Sequence, residues 1–218
     1  MEKVNYAFFV DFDGTITKRD VCEAIIMQLA DSGWEEINKK WETKELSTLE
    51  CAKETFKLFT RKDPEAFREI ADTIEIEEGF KDFVTYCQAK GYPVYILSDG
   101  YDYYIEYILN KEGFTLPYYA NQLTFSTSIE VTAPYSSKHC NLCGVCKTNL
   151  MEQLKKSSEK SIYIGDGSSD FCPVEKADYV FAKKKLLDHC LTLGRQVYGF
   201  DNFNDILNQM QYLEEEQK

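Results

Sequence analysis

Tyr6-Ala7-Phe8-Phe9-Val10 is apolar at every position. A run apolar on both sides of the pleat predicts a strand buried on both faces, as in the middle of a parallel sheet. From Thr15 to about Glu77 the spacing turns helical. Asp20 and Glu23 read as an N-cap with a capping carboxylate, and Val21, Ile25 and Leu29 form one apolar stripe. After Gly33, Trp34 and Trp41 fit a second, short helix. Ser47-x-x-Glu50 is a capping box ahead of Leu49, Phe56 and Phe59. Asp63-Pro64 reads as the N-cap and first residue of a further helix carrying Phe67 and Ile70. These helical segments, with no strand among them, predict a small bundle over 18–77 inserted after the first strand.

From Glu78 helix and strand alternate. The pattern predicts a helix from Gly79 to Lys90, a strand from Pro93 to Leu97, and a helix from Tyr101 to Lys111 closed by Gly113. Tyr118–Phe125 and Ile129–Val131 suit a hairpin. A helix from Lys147 to Leu154 leads to a strand over Ser161–Ile164, and Tyr179–Ala182 and Gln196–Tyr198 supply the last strands. Phe203, Ile206, Leu207, Met210 and Leu213 form the face of a final amphipathic helix. Such alternation predicts an α/β fold with a parallel, doubly wound sheet. Its core would take 1–17 and 78–218.

Composition narrows the class. The chain has 218 residues, 44% of them hydrophobic and 14% aromatic, as in a globular protein. A net charge of −12 argues against nucleic acid or an anionic membrane as partner. No apolar stretch is long enough to span a bilayer, and Met1-Glu2-Lys3 runs into the first strand with no signal-peptide pattern. With eight cysteines this suggests a reduced, cytoplasmic protein, monomeric or homodimeric.

The chemistry lies at the predicted strand ends, where open α/β sheets keep their ligand sites. Asp11-Phe12-Asp13-Gly14-Thr15 puts two carboxylates two residues apart after the first strand. Burying like charges side by side is costly without a cation or a shared proton, so the motif asks for a metal. Ser98-Asp99-Gly100 follows the second strand, and Gly165-Asp166-Gly167-Ser168-Ser169-Asp170 follows the third. Asp166 adds a carboxylate for a hard cation such as Mg²⁺. Ser98 and the amides after it suit a phosphate, and Lys147 offers a fixed positive charge.

In order and spacing these motifs resemble the haloacid dehalogenase-like hydrolases. Residues 11–15 match the first motif, Ser98 the second, Lys147 the third, and Gly165-Asp166-x-x-x-Asp170 the fourth. The helical insert resembles the small cap of the phosphoserine phosphatase branch. The resemblance implies a phosphatase acting on a small-molecule phosphomonoester. Asp11 would be the nucleophile, Asp13 the acid and base, and Lys147 the neutralising cation. Ser98, Asp99, Gly100 and Asp20 would bind substrate, and Asp11, Asp13, Asp166 and Asp170 would serve Mg²⁺.

Within that branch Asp11–Thr17 and Cys143-Gly144-x-Cys146-Lys147 resemble the 2-hydroxy-3-keto-5-methylthiopentenyl-1-phosphate phosphatases of methionine salvage. Ser98-Asp99 and the segment from Gly165 to Pro173 resemble the phosphoethanolamine/phosphocholine phosphatases. Asp99 and Ser169 stand where phosphoserine phosphatases usually carry Gly and Asn, which weighs against phosphoserine. Asp99 decides the leading expectation. A carboxylate beside the phosphate site meets a cationic substrate, faces away onto another cation, or caps the helix from Tyr101. The first of these makes an aminoalkyl phosphate the expected substrate, with Trp34 and Trp41 as a cation–π wall. The methionine-salvage ester is the alternative.

His139-Cys140-x-x-Cys143-x-x-Cys146 has the residue types of a zinc site at Cys140, Cys143 and Cys146. Adjacent His139 and Cys140 rarely ligate one ion together, and a redox-active or simply packed loop is the other reading. A non-catalytic module built on this loop is the alternative of a different class.

Overall fold

The computed structural model describes residues 4–138, 140 and 142–215. The chain divides into two compact units, one of Met1–Lys18, Ile76–Ile96 and Lys147–Lys218, the other of Arg19–Glu75 and Leu97–Cys146. The helical segment after the first strand thus shares its unit with residues 97–146.

The first unit is a parallel sheet with helices. β1 (Asn5–Val10) is buried from Tyr6 onward, as its unbroken apolar run requires. It pairs in parallel with the start of β2 (Val94–Tyr101) on one side and with β5 (Glu159–Gly165) on the other. β6 (Tyr179–Ala182) and β7 (Tyr198–Gly199) extend the sheet beyond β5. The chain therefore winds outward from β1 in one direction to β2 and in the other to β5, β6 and β7. A reversal of this kind opens a crevice at the carboxyl ends of β1 and β5. Val10 lies opposite Ile164 in the register, so Asp11 and Gly165 emerge side by side. α5 (Phe80–Lys90) and α10 (Phe203–Glu215) pack together through Phe80, Phe83 and Phe203, with centroids 4.9–5.1 Å apart for the Phe203 pairs. Phe83 also meets Phe8 edge-on, which ties these helices to β1.

The second unit holds α1 (Val21–Leu29), α2 (Trp34–Glu42), α3 (Thr48–Lys57), α4 (Pro64–Ala71) and α6 (Asp102–Lys111). Its β3 (Tyr118–Phe125) and β4 (Ile129–Thr132) form the antiparallel hairpin. The local signals act as expected. Asp20, Ser47 and Asp63 each accept a hydrogen bond from the amide three residues on, and Glu50 returns the capping box to Ser47. Phe56, Phe59, Phe67, Tyr103 and Phe125 form a continuous aromatic cluster. α2 buries no residue, so Trp34 and Trp41 are only half-covered.

The remaining helices of the first unit are α7 (Lys147–Leu154), α8 (Phe171–Val174) and α9 (Lys184–Thr192). α9 departs from the sequence pattern, which gave no helix between Ala182 and Gln196. Only Leu186 and Cys190 of α9 are buried, too narrow a stripe to stand out in so short a segment.

Candidate active site

The site of the first unit lies at the carboxyl ends of β1 and β5. Asp11 leaves β1 with its amide bonded to the Ile164 carbonyl at 2.9 Å, and the residue is buried. Gly14 then turns the chain at φ 74°. A Cβ there would lie 2.6 Å from Asp166 Oδ2, so both the backbone angle and the close approach require glycine. Asp13 sits in the same turn in an extended conformation (φ −72°, ψ 118°).

Lys147, the first residue of α7, is almost fully buried. Its ammonium donates to Asp11 Oδ1 at 2.6 Å, Asp170 Oδ1 at 2.7 Å and Ser169 Oγ at 3.0 Å. Burial by itself would lower its pKa, but Asp11 and Asp170 reverse this and hold the ammonium well above the ordinary lysine value. Asp170 is wholly buried and saturated. Its Oδ1 also accepts from Tyr163 at 2.7 Å, and its Oδ2 accepts from the amides of Asp166 and Gly167, each at 3.1 Å. A side chain on Gly165 would collide with this carboxylate. Asp166 is held by Thr15 Oγ1 at 3.2 Å and by Lys184 Nζ at 2.8 Å.

One oxygen from each of Asp11, Asp166 and Asp170 lies within 4.8 Å of the others, a group able to hold a metal ion. Burial, then Asp170, push the Asp11 carboxyl well above the usual carboxylate range, and Lys147 offsets only part of this. Three carboxylates face two ammonium groups, those of Lys147 and Lys184, and an all-oxygen donor set fits a hard divalent cation.

The other expected residues belong to the second unit. Ser98 is buried, and its Oγ accepts from the Gly100 amide at 3.0 Å. Asp20 is the N-cap of α1. Asp99 accepts from neutral donors: Thr48 Oγ1 at 2.9 Å on Oδ2, and the Val145 amide at 2.9 Å and Asn121 Nδ2 at 3.3 Å on Oδ1. It does not cap α6, whose N-cap is Tyr101.

The zinc expectation finds no support. Among the described residues the three-carboxylate group is the one cluster with metal-holding geometry, and Cys140, Cys143 and Cys146 form none. Hydrogen bonds order their loop instead. Leu142 accepts from the Thr48 amide at 2.8 Å, Val145 donates to Asp99, and Cys146 donates to the Tyr135 carbonyl at 2.8 Å. His139 lies outside the described residues.

Tyr163 and Lys184 are site residues that sequence reasoning did not single out, and Ser169 stood out only as a departure from the phosphoserine phosphatases. Of the first two, only Tyr163 left a trace, as a hydroxyl in a strand otherwise apolar from Ile162 to Ile164.

Carboxylates and a buried lysine at the strand ends of a doubly wound sheet are the residues by which the sequence resembles the haloacid dehalogenase-like hydrolases. The chain belongs to the family described as Putative Phosphatase, whose model matches residues 6–211. It is similar to the 2-hydroxy-3-keto-5-methylthiopentenyl-1-phosphate phosphatase of Geobacillus thermodenitrificans (34% identity, covering 97% of this chain and 98% of the relative). It is likewise similar to the protein of that name from Brevibacillus brevis (32%, 95% and 96%). In fold it resembles a phospho-aspartyl intermediate analogue of phosphoserine phosphatase, with a TM-score of 0.74 at 19% identity, over 95% of this chain and 99% of the other. A substrate-bound phosphoserine phosphatase complex gives 0.72 at 19%, over 95% and 99%. The protein is thus a phosphoric monoester hydrolase, and the non-catalytic module is set aside. None of its described helices is long and apolar enough to cross a membrane.

Proposed function

We propose that the protein hydrolyses 2-hydroxy-3-keto-5-methylthiopentenyl-1-phosphate, or an ester of the same uncharged carbon skeleton. The observation that carries this is similarity along nearly the whole chain to curated relatives of that name. It displaces the aminoalkyl phosphate as the leading reading. The surroundings of Asp99 support the change. Thr48, Asn121 and Val145 already donate to its carboxylate, so its hydrogen-bonding capacity is engaged within the chain.

In this reading the Asp11 carboxylate attacks phosphorus in line, forming an O–P bond as the bond to the leaving oxygen breaks. Asp13 gives its proton to that oxygen. It then takes a proton from the water that cleaves the aspartyl-phosphate and releases inorganic phosphate. Lys147 fixes Asp11 for attack and balances charge on the phosphoryl oxygens. The resemblance assigns Ser98 and Gly100 to phosphate binding and residues 18–77 to a specificity-bearing cap. Asp11, Asp166 and the Asp13 carbonyl would ligate Mg²⁺, which supplies charge neutralisation at the phosphate when bound. Asp170, already accepting from Lys147, Tyr163 and the amides of Asp166 and Gly167, suits a role through water better than direct ligation.

The test is a kcat/KM comparison with Mg²⁺ across the methylthiopentenyl ester, phosphoethanolamine, phosphocholine and phosphoserine. The first should lead by at least about tenfold, or ~1.4 kcal/mol of transition-state binding. An equal or larger value for phosphoethanolamine would overturn the assignment. The Asp11→Asn variant should fold and lose turnover of every ester, and retained activity would reject the nucleophile.

A further inference from the structure

At the edge of the carboxylate group, Lys184 combines three features. Its ammonium pairs with Asp166 Oδ2 at 2.8 Å and donates to the Gly14 carbonyl at 3.2 Å. Its backbone is left-handed, φ 50°, which is uncommon for a residue with a long side chain. It is also the first residue of α9, whose N-cap, Lys183, offers no side-chain cap. Leu186 in the first turn of that helix donates instead to the Asp166 carbonyl at 3.0 Å, and Lys183 donates from its amide to the Gly165 carbonyl at 3.2 Å. The start of α9 is thereby built onto the Gly165–Asp166 strand end.

A left-handed residue costs free energy that the surrounding structure must offset, and such outliers cluster at functional sites. Here the turn carries the side chain back toward the motif. Gly14 leaves room for it, since a Cβ at that position would lie 3.1 Å from Lys184 Nζ and 2.6 Å from Asp166 Oδ2. The Lys184 side chain is 53% exposed against 13% for Asp166, so solvent screens the ion pair and its contribution to stability is small. What it controls is direction. Thr15 holds Oδ1 and Lys184 holds Oδ2, which leaves the carboxylate one orientation relative to Asp11.

We infer that Lys184 is a positioning residue that orients Asp166 for the divalent cation. The inference rests on the proposed cation site. Losing a cation beside a ligand would by charge alone favour metal binding. Screening weakens that gain, whereas a carboxylate freed to rotate loses its alignment outright. Partners that orient metal ligands are worth about 10–100-fold in affinity.

Mg²⁺ binding to the full-length protein, followed by titration calorimetry, tests this without turnover. Lys184→Met should bind Mg²⁺ about tenfold or more weakly, and Lys184→Arg, which keeps a donor in reach, should recover most of the loss. The metal-free melting temperature of Lys184→Met should stay within about 4 °C of wild type, as for an exposed pair. Lys184→Gly suits the left-handed backbone and serves if the methionine variant misfolds. A folded Lys184→Met or Lys184→Gly that binds Mg²⁺ as tightly as wild type overturns the role of Lys184. Wild-type protein that binds no Mg²⁺, or an Asp166→Asn variant that binds it undiminished, overturns the cation site and this inference with it.

Discussion

Lys147 donates to Asp11 Oδ1 at 2.6 Å, with the lysine side chain 1% exposed and the aspartate 7%. The same ammonium serves Asp170, so one buried cation compensates two carboxylates. Removing it leaves both uncompensated. Lys147→Met should cost about 3–5 kcal/mol in urea unfolding, the order for breaking a buried pair, and should abolish turnover. Unchanged stability would contradict the buried-charge account.

Tyr163 reaches Asp170 from within β5 at 2.7 Å, and both residues are fully buried. Burial, then the Asp170 charge, push the phenol well above its ordinary pKa, so it stays a donor throughout the working range. Tyr163→Phe removes one of the donors that fix Asp170. We expect a loss of about 1–3 kcal/mol in stability. A fall of about tenfold or more in kcat/KM should accompany it. A variant with wild-type kinetics would show that Asp170 does not need this bond.

Asp99 yields a prediction about specificity. Asp99→Gly leaves the donors on Thr48 and Val145 without their acceptor, while Asn121 keeps its 2.7 Å bond to the residue-99 carbonyl, and should cost about 1–3 kcal/mol. Phosphoethanolamine and an uncharged analogue of equal length should lose kcat/KM by the same factor. Selective loss of the amine would restore the aminoalkyl reading.

Glu214 offers a pH test of the scaffold. It accepts from Lys90 at 2.5 Å, Tyr86 at 2.7 Å and Tyr92 at 3.0 Å. Burial acts to raise its pKa, but these donors outweigh it and hold the carboxyl below the ordinary value. Its stabilisation is therefore complete above the unfolded-state pKa of about 4.3 and is lost as pH falls through the lower folded value. Glu214→Gln should be less stable than wild type at pH 7 by about 1 kcal/mol, the order for a partly exposed network. The gap should close in acid. A gap independent of pH would mean that the lost contribution is packing rather than charge.

Signals spanning a few residues were legible in the sequence. The apolar run of β1, the caps at Asp20, Ser47 and Asp63, and the helical and strand periods each act within one turn or one pleat. The carboxylates after β1 and β5 were legible for the same reason, since a buried parallel strand fixes where the residues beyond its end emerge. α9 escaped because its apolar stripe is narrow and its start is anchored by the Asp166 carbonyl, 20 positions from Leu186, rather than by a local cap.

Tertiary structure alone decided which donor each carboxylate meets. Asp99 invites a cationic partner when read beside a phosphate-binding serine. In the fold, neutral donors from 51, 22 and 46 positions away reach it. The cysteine loop follows the same logic: its spacing suits zinc, yet backbone hydrogen bonds from distant segments order it. Lys147 is separated from Asp11 by 136 positions and Lys184 from Gly14 by 170. Charge and hydrogen-bonding capacity are properties of the residue and can be read along the chain. Whether they are satisfied depends on which segments the fold brings within about 3 Å, and that is set by packing of the whole core.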